Sequence, residues 1–247
     1  MKKLLLFVMM LFLVCGCSKN SDELVMVTEA GFAPYEYYRD GEIVGVDVDI
    51  AKEIAKELGK KLVIKDIAFD SIVNEVKTGK ADFGAAGISY SPERAENVDF
   101  SNDYSVSRQV AVVRENTYKS VSEIMSKRIA VQLGSIGDTY VSEHFKDASV
   151  VRQKKYLAAA EDLKASKVDA IVMDELPAKQ IVLNNKGLVI LDEEITSDSY
   201  GMIVKKGNKE LLLAINKVID RLKSEGKIDE FVLNHTCLLY TSDAADE

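Results

Sequence analysis

Short apolar runs alternate along the chain with stretches in which apolar residues recur every three or four positions. Leu24, Val25, Met26 and Val27 form the first run and predict a strand. In the stretch after it, Ile50, Ala51, Ile54 and Leu58 share one helical face, with Asp47 placed as its N-cap and Gly59 as its stop. The alternation continues with a strand over 61–65 and a helix capped by Asp70 that turns Ile72, Val73 and Val76 inward. Gly79 ends that helix, and 81–85 is the next strand. After a strand over 109–113 come strands at 129–132, 150–151 and 168–173, separated by helices over 137–144 and 156–165. Near the C-terminus a strand over 200–204 precedes a helix over 210–223, where Leu211, Ile215, Val218, Ile219 and Leu222 make one stripe. Such alternation predicts an α/β fold of parallel strands covered by helices, with ligands held off the carboxyl ends of the strands.

Two segments are similar to each other. Val76-Lys77-Thr78-Gly79-Lys80-Ala81-Asp82 and Leu163-Lys164-Ala165-Ser166-Lys167-Val168-Asp169 both read as helix end, basic turn and strand opening on a small or branched residue plus Asp. The similarity predicts two lobes of like architecture, the first closed by chain from the C-terminal end.

The chain ends carry different signals. Lys2 and Lys3 precede an unbroken apolar run from Leu4 to Val14, too short to span a bilayer and built like a secretory signal. Val14-Cys15-Gly16-Cys17 resembles a bacterial lipobox, which makes Cys17 the expected lipidated N-terminus. Residues 1–16 are then signal and 17–22 a tether. Residues 237–247 match the conceptual translation of a sequencing adapter and are expected to be foreign to the domain. Between these ends, residues 18–236 contain no cysteine, which excludes disulfide scaffolds, thiolate metal sites and cysteine nucleophiles there. With 32 Lys and Arg against 40 Asp and Glu, the net charge of -8 argues against nucleic acid as a partner.

The chemistry concentrates where a strand ends, at Gly87-Ile88-Ser89-Tyr90-Ser91-Pro92-Glu93-Arg94. Ser91, Pro92 and Glu93 make a helix start. Arg94 then projects from its first turn, beside a hydroxyl from Ser89 and a backbone that Gly87 leaves open to close approach. A guanidinium fork, a hydroxyl and an N–H suit one carboxylate. Equally, Arg94 could pair with Glu96 or Asp99 on the surface.

Gly31-Phe32-Ala33-Pro34-Tyr35-Glu36-Tyr37, the stretch from Asp40 to Ala51, Lys77 to Asp82, Gly87 to Arg94 and Val98-Asp99-Phe100-Ser101 occur in one order and spacing. In this they resemble the polar amino-acid-binding proteins of bacterial ABC importers, the extracellular solute-binding protein family 3, over residues 23–233. The resemblance implies a two-lobed, type II periplasmic-binding-protein-like α/β fold. Its two parallel-rich sheets have flanking helices and are joined by hinge crossings at 104–108 and 196–200. Lobe 1 would comprise 23–104 plus 200–236, and lobe 2 residues 105–199. It implies Arg94 as the clamp on an α-carboxylate, helped by Ser89 and the loop Gly134-Ser135-Ile136. Asp174 would accept the α-ammonium, completed by Gly87 and Ser89. Phe32 and Phe69 would wall the ligand side chain, and Glu29 would set selectivity with Gln132 and Met173 nearby. Because Gln132 stands where some glutamine binders carry Lys, no cation is expected to offset Glu29, which favours arginine, lysine or ornithine, with glutamine next. No catalytic residue, cofactor or metal is implied. The partners would be an amino acid and an ABC permease, the location the outer face of the cell membrane through the lipid anchor, and the state monomeric. Two alternatives are an exported cyclohexadienyl-dehydratase-like enzyme and the sensor domain of a larger protein. His144 and His235 are both expected to be solvated.

Overall fold

The computed structural model describes residues 22–242, with side chains to residue 236. The signal segment, Cys17 and residues 243–247 lie outside the described residues. Two lobes, each a sheet with helices, make up the molecule. The first sheet orders its strands Lys61–Asp66, Glu23–Thr28, Phe83–Gly84, Ile203–Lys205 and Val98–Phe100. The second runs Ser149–Gln153, Arg128–Gln132, Ala170–Asp174, Ser105–Arg114 and Leu188–Ile190, with Thr196–Tyr200 also paired to Ser105–Arg114. Parallel pairs join Glu23–Thr28 to Lys61–Asp66 and to Phe83–Gly84 in the first sheet, and Arg128–Gln132 to Ser149–Gln153 and to Ala170–Asp174 in the second.

Not every strand obeys the parallel expectation. Ile203–Lys205 is antiparallel to both its neighbours, and Ser105–Arg114 is antiparallel to all three of its own. Connectivity accounts for one of these pairings: Ser105–Arg114 carries the chain into the second lobe and Thr196–Tyr200 carries it back, so those two run in opposite directions side by side. Ser105 lies opposite Tyr200 and Ser107 opposite Asp198 in that two-stranded crossing. The strand expected over 200–204 divides accordingly, ending one pairing at Tyr200 and starting another at Ile203.

Capping by serine and asparagine holds, while capping by aspartate does not. Ser91 Oγ accepts the Arg94 N–H at 3.2 Å, Ser135 Oγ that of Asp138 at 3.1 Å, and Asn208 that of Leu211. Asp47, however, lies inside the first turn of the helix Val46–Glu57, whose N-cap is Gly45. There a Cβ would approach the Tyr35 carbonyl oxygen to 2.0 Å, so only glycine fits. Fully buried, Asp47 instead accepts the Gly87 N–H at 3.0 Å and the Tyr104 hydroxyl at 2.8 Å. Asp70 sits in the single turn Phe69–Ser71, which has no side-chain cap.

The similarity between the two segments has a structural counterpart. Gly79 (φ 75°) and Ser166 (φ 57°) each take the left-handed conformation that terminates a helix. Asp82 Oδ2 then accepts the Val25 N–H at 2.8 Å, and Asp169 Oδ2 accepts the Arg128 N–H at 3.1 Å. In each lobe this aspartate tethers the turn to the neighbouring parallel strand.

The helix Lys209–Ser224 buries Leu211, Ile215, Val218, Ile219 and Leu222, the stripe read from the sequence, in a core shared with Ile50 and Ile54. The last helix, Lys227–Ser242, contradicts the expected solvation of His235. Its ring is only 5% exposed, with Nδ1 3.1 Å from the Tyr37 hydroxyl and Nε2 2.9 Å from Asp49 Oδ2. His144 is exposed and stacks on Tyr140.

Replacing either tethering aspartate, Asp82→Ala or Asp169→Ala, leaves a strand N–H without its acceptor, and Asp169→Ala also removes the ion pairs to Arg128 and Arg114. Each should lower unfolding free energy by about 1–3 kcal/mol in urea titrations. Unchanged midpoints would show that neither bond contributes.

Candidate functional site

Strands from both sheets end at one cleft, which follows from their order: Glu29 follows the strand Glu23–Thr28, Gly87 and Ser89 follow Phe83–Gly84, Gln132 ends Arg128–Gln132 and Asp174 ends Ala170–Asp174. These five line one small, largely closed chamber, together with Phe32, Phe69, Arg94, Ser135 and Ile136. Of the residues singled out from the sequence for a ligand site, all but Gly134 and Met173 line this chamber, and the Gly134 carbonyl meets Arg94 beside it. Met173 is fully buried and faces away from the chamber, because alternation along its strand puts it on the opposite side from Asp174.

Arg94 reaches across the cleft. Nη1 donates to the Ser89 carbonyl at 2.6 Å and Nη2 to the Gly134 carbonyl at 2.8 Å, while the guanidinium carbon lies 5.4 Å from the Phe69 ring centre. The surface alternative is not realised with Asp99, which takes Lys206 and the Gly207 N–H instead. Burial lowers the Arg94 pKa, against the raising influence of Asp198, Glu93 and Asp174. From the loop before the helix Ile136–His144 it is a carbonyl that meets Arg94. The Gly134 N–H turns back to Asp138 Oδ2 at 3.1 Å.

Aromatic rings floor the chamber. Phe32 stacks on Tyr156 of the second lobe, centres 6.0 Å apart and planes at 28°. Gly87 adopts φ +52°, and a Cβ there would lie 2.6 Å from the Phe32 ring, so close packing of ring on backbone requires glycine.

Acids stand in the lining and just behind it. Asp174, buried, accepts the Tyr200 hydroxyl, and burial raises its pKa. The Ser89 hydroxyl donates to Asp198 Oδ1 at 2.8 Å, and Gln109 Nε2 lies 3.4 Å from Asp198 Oδ2. Burial, then the nearby Asp174 charge, pushes Asp198 up to about 6. Asp47, beneath Gly87, is pushed to about 6 chiefly by burial, and Glu36, which lines the chamber, stands well above the usual carboxylate range through burial and the Asp47 charge.

At the far end Glu29 is 1% exposed, and Gln132 Nε2 donates to its Oε2 at 3.0 Å. The expectation that no cation offsets Glu29 is incorrect. Lys155 Nζ lies 2.9 Å from Glu29 Oε1 and 3.4 Å from Asp66 Oδ2. Burial still holds the Glu29 pKa above normal, with Lys155 opposing. Lys155, Tyr156, Glu36, Gln109 and Asp198 are the site residues that sequence reasoning missed. Asp198 lies in a segment read only as a crossing and Lys155 just ahead of a helix, and nothing in their spacing ties them to Ser89 or Glu29. Among the described residues, no cluster of His, Cys, Asp and Glu could hold a metal ion.

Two sheeted lobes, two antiparallel crossings and a polar chamber between them define the class of two-lobed, type II periplasmic binding proteins. Within that class the chain belongs to the bacterial extracellular solute-binding proteins, family 3, whose model matches residues 24–235. It is 28% identical over 232 residues to ABC transporter arginine-binding protein 1 of Escherichia coli, covering 92% of this chain and 95% of that one. To the ABC transporter glutamine-binding protein GlnH of Bacillus subtilis it is 31% identical over 220 residues, covering 86% and 80%. The crystal structure of the substrate-binding protein AbpA of Streptococcus pneumoniae bound to L-arginine superposes with a TM-score of 0.85. Identity there is 35%, with 90% of this chain and 98% of that one covered.

Asp198 gives the cleft a titration signature. Its ordinary pKa of 3.8 is raised to about 6, so between those values the folded state binds the extra proton and stability falls as pH rises. Asp198→Asn should therefore flatten the decline in melting temperature from pH 4 to 7 and be the more stable form at pH 7. Parallel wild-type and variant profiles would remove Asp198 from the titrating set.

Proposed function

We propose that the protein captures a free L-amino acid, arginine first and glutamine second, and hands it to an ABC permease. The observation that carries this is the placement of Arg94 and Asp174 on one chamber, from different lobes. In this reading Arg94 and Ser89 hold the α-carboxylate with the loop Gly134-Ser135-Ile136, and Asp174 with the Gly87 carbonyl holds the α-ammonium. Phe32 and Phe69 enclose the side chain, and Glu29 with Gln132 meets its distal end. Charge supports a basic ligand: Glu29, Asp174 and Asp198 outnumber Arg94 and Lys155, so glutamate and aspartate are repelled. The arginine- and glutamine-binding relatives support the same pair of ligands.

Binding drives closure because the two ends of the zwitterion are gripped from different lobes, taken as 23–104 plus 200–236 and 105–199. Contacts complete only in the closed form favour it by their differential free energy. The closed shape is what the permease reads. Cys17 carries the lipid that keeps this monomeric protein at the outer face of the membrane, and the cleft binds its ligand without chemical conversion, as the binding-protein names of its relatives suggest.

A thermal-shift panel of amino acids should show the largest rise in melting temperature with L-arginine and a smaller one with L-glutamine. Arg94→Ala should weaken arginine binding by roughly a hundredfold or more in calorimetric titration, since a desolvated carboxylate loses its partner. A flat panel would reject the amino-acid reading, and an unaffected Arg94→Ala would reject the clamp.

A further inference from the structure

Lys155 is given no ligand contact in the reading above, yet its ammonium touches Glu29, a buried acid of that site. It precedes the helix Tyr156–Lys164 on the second lobe, and its ammonium reaches Glu29 and Asp66, both at strand ends of the first lobe. Asp66 is itself fixed by the Ala30 N–H at 2.9 Å. On the other oxygen of Glu29 sits the Gln132 amide, which also donates to the Lys154 carbonyl at 3.0 Å. The backbone at Gly31 closes a further side: a Cβ there would lie 3.0 Å from Glu29 Oε1. Glu29 is thus held in place by a cation and an amide.

We propose that Lys155 is a specificity-determining residue. Its ammonium neutralises Glu29 across the cleft, so that the distal subsite selects for hydrogen-bond donors and accepts both guanidinium and carboxamide side chains. The inference rests on the amino-acid-binding reading and deepens it.

The reasoning is electrostatic. Each carboxylate oxygen has a second lone pair, so Glu29 can accept an N–H from a ligand while keeping Lys155 and Gln132. With Lys155 present, an ammonium shared with Asp66 offsets the Glu29 charge, and a neutral amide meets an ionised acceptor that already has a counter-charge beside it. Without it, a buried carboxylate faces the ligand with no counter-charge beside it; a guanidinium supplies that charge and an amide does not. Lys155 is 42% exposed in its side chain, so its replacement leaves the core intact.

The experiment is calorimetric titration of the full chain with L-arginine, its neutral isostere L-citrulline and L-glutamine, for wild type, Lys155→Met and Lys155→Arg. Lys155→Met should widen the arginine-to-citrulline and arginine-to-glutamine affinity ratios by roughly tenfold or more, by strengthening arginine and weakening the neutral ligands. Lys155→Arg should restore wild-type ratios, which a purely structural role for the lysine would not require. If wild type binds arginine but both ratios stay within about twofold of wild type in Lys155→Met, the role of Lys155 is overturned while the binding reading stands. If wild type binds none of the three, both fall together.

Discussion

A guanidinium taken out of water must be held by something, and in this protein Arg94 is held by backbone. Its two contacts, the Ser89 carbonyl from its own lobe and the Gly134 carbonyl from the other, are neutral acceptors. They satisfy hydrogen bonds without cancelling charge, so the site retains an appetite for an anion. Much of the surrounding structure follows from that constraint. The helix that carries Arg94 begins at a serine cap and a proline, which fixes the direction of its first turn. Gly87 lets Phe32 pack against the backbone just before it, and the Phe69 ring lies against the guanidinium.

The acids around Arg94 serve the opposite end of the problem. Five carboxylates crowd a space from which most water is excluded, and burial raises each of them. Such a floor is destabilising unless protons or cations enter it. The structure distributes that load through hydroxyl and amide donors: Tyr104 and the Gly87 N–H to Asp47, Tyr200 to Asp174, Ser89 and Gln109 to Asp198. Several of these donors and acceptors belong to the crossing segments, so the polar network of the chamber and the hinge are one construction. Movement of one lobe against the other has to pass through the same residues that surround the ligand space.

Lys155 shows how a single long side chain changes the character of a site. Its stem starts outside the chamber and its ammonium ends against Glu29, on the opposite lobe. The far end of the cleft is therefore an ion pair bridged across the two lobes, with Asp66 as a second anchor.

From the sequence alone came much of the strand–helix alternation, though not the helix Glu175–Leu183, with the stripe of the helix Lys209–Ser224, the two-lobed resemblance and, through that resemblance, the pocket residues from Glu29 to Asp174. These were legible because each rests on local periodicity, on turn chemistry or on motifs held in fixed spacing. What the tertiary structure decided is where long or isolated polar side chains end up. Asp47 reads as a cap, yet the glycine before it leaves it inside the helix and facing Gly87. Asp198 reads as hinge, yet pairing places it opposite Ser107 and beside Ser89. His235 reads as solvent-exposed, yet helix packing buries it on Asp49 and Tyr37. Lys155 and Glu29 are 126 residues apart, by subtraction of their numbers, and only the folding of one lobe onto the other brings their charges to 2.9 Å. Periodicity specifies which face of an element is buried; contacts between elements far apart in the chain depend on packing, which no local pattern encodes.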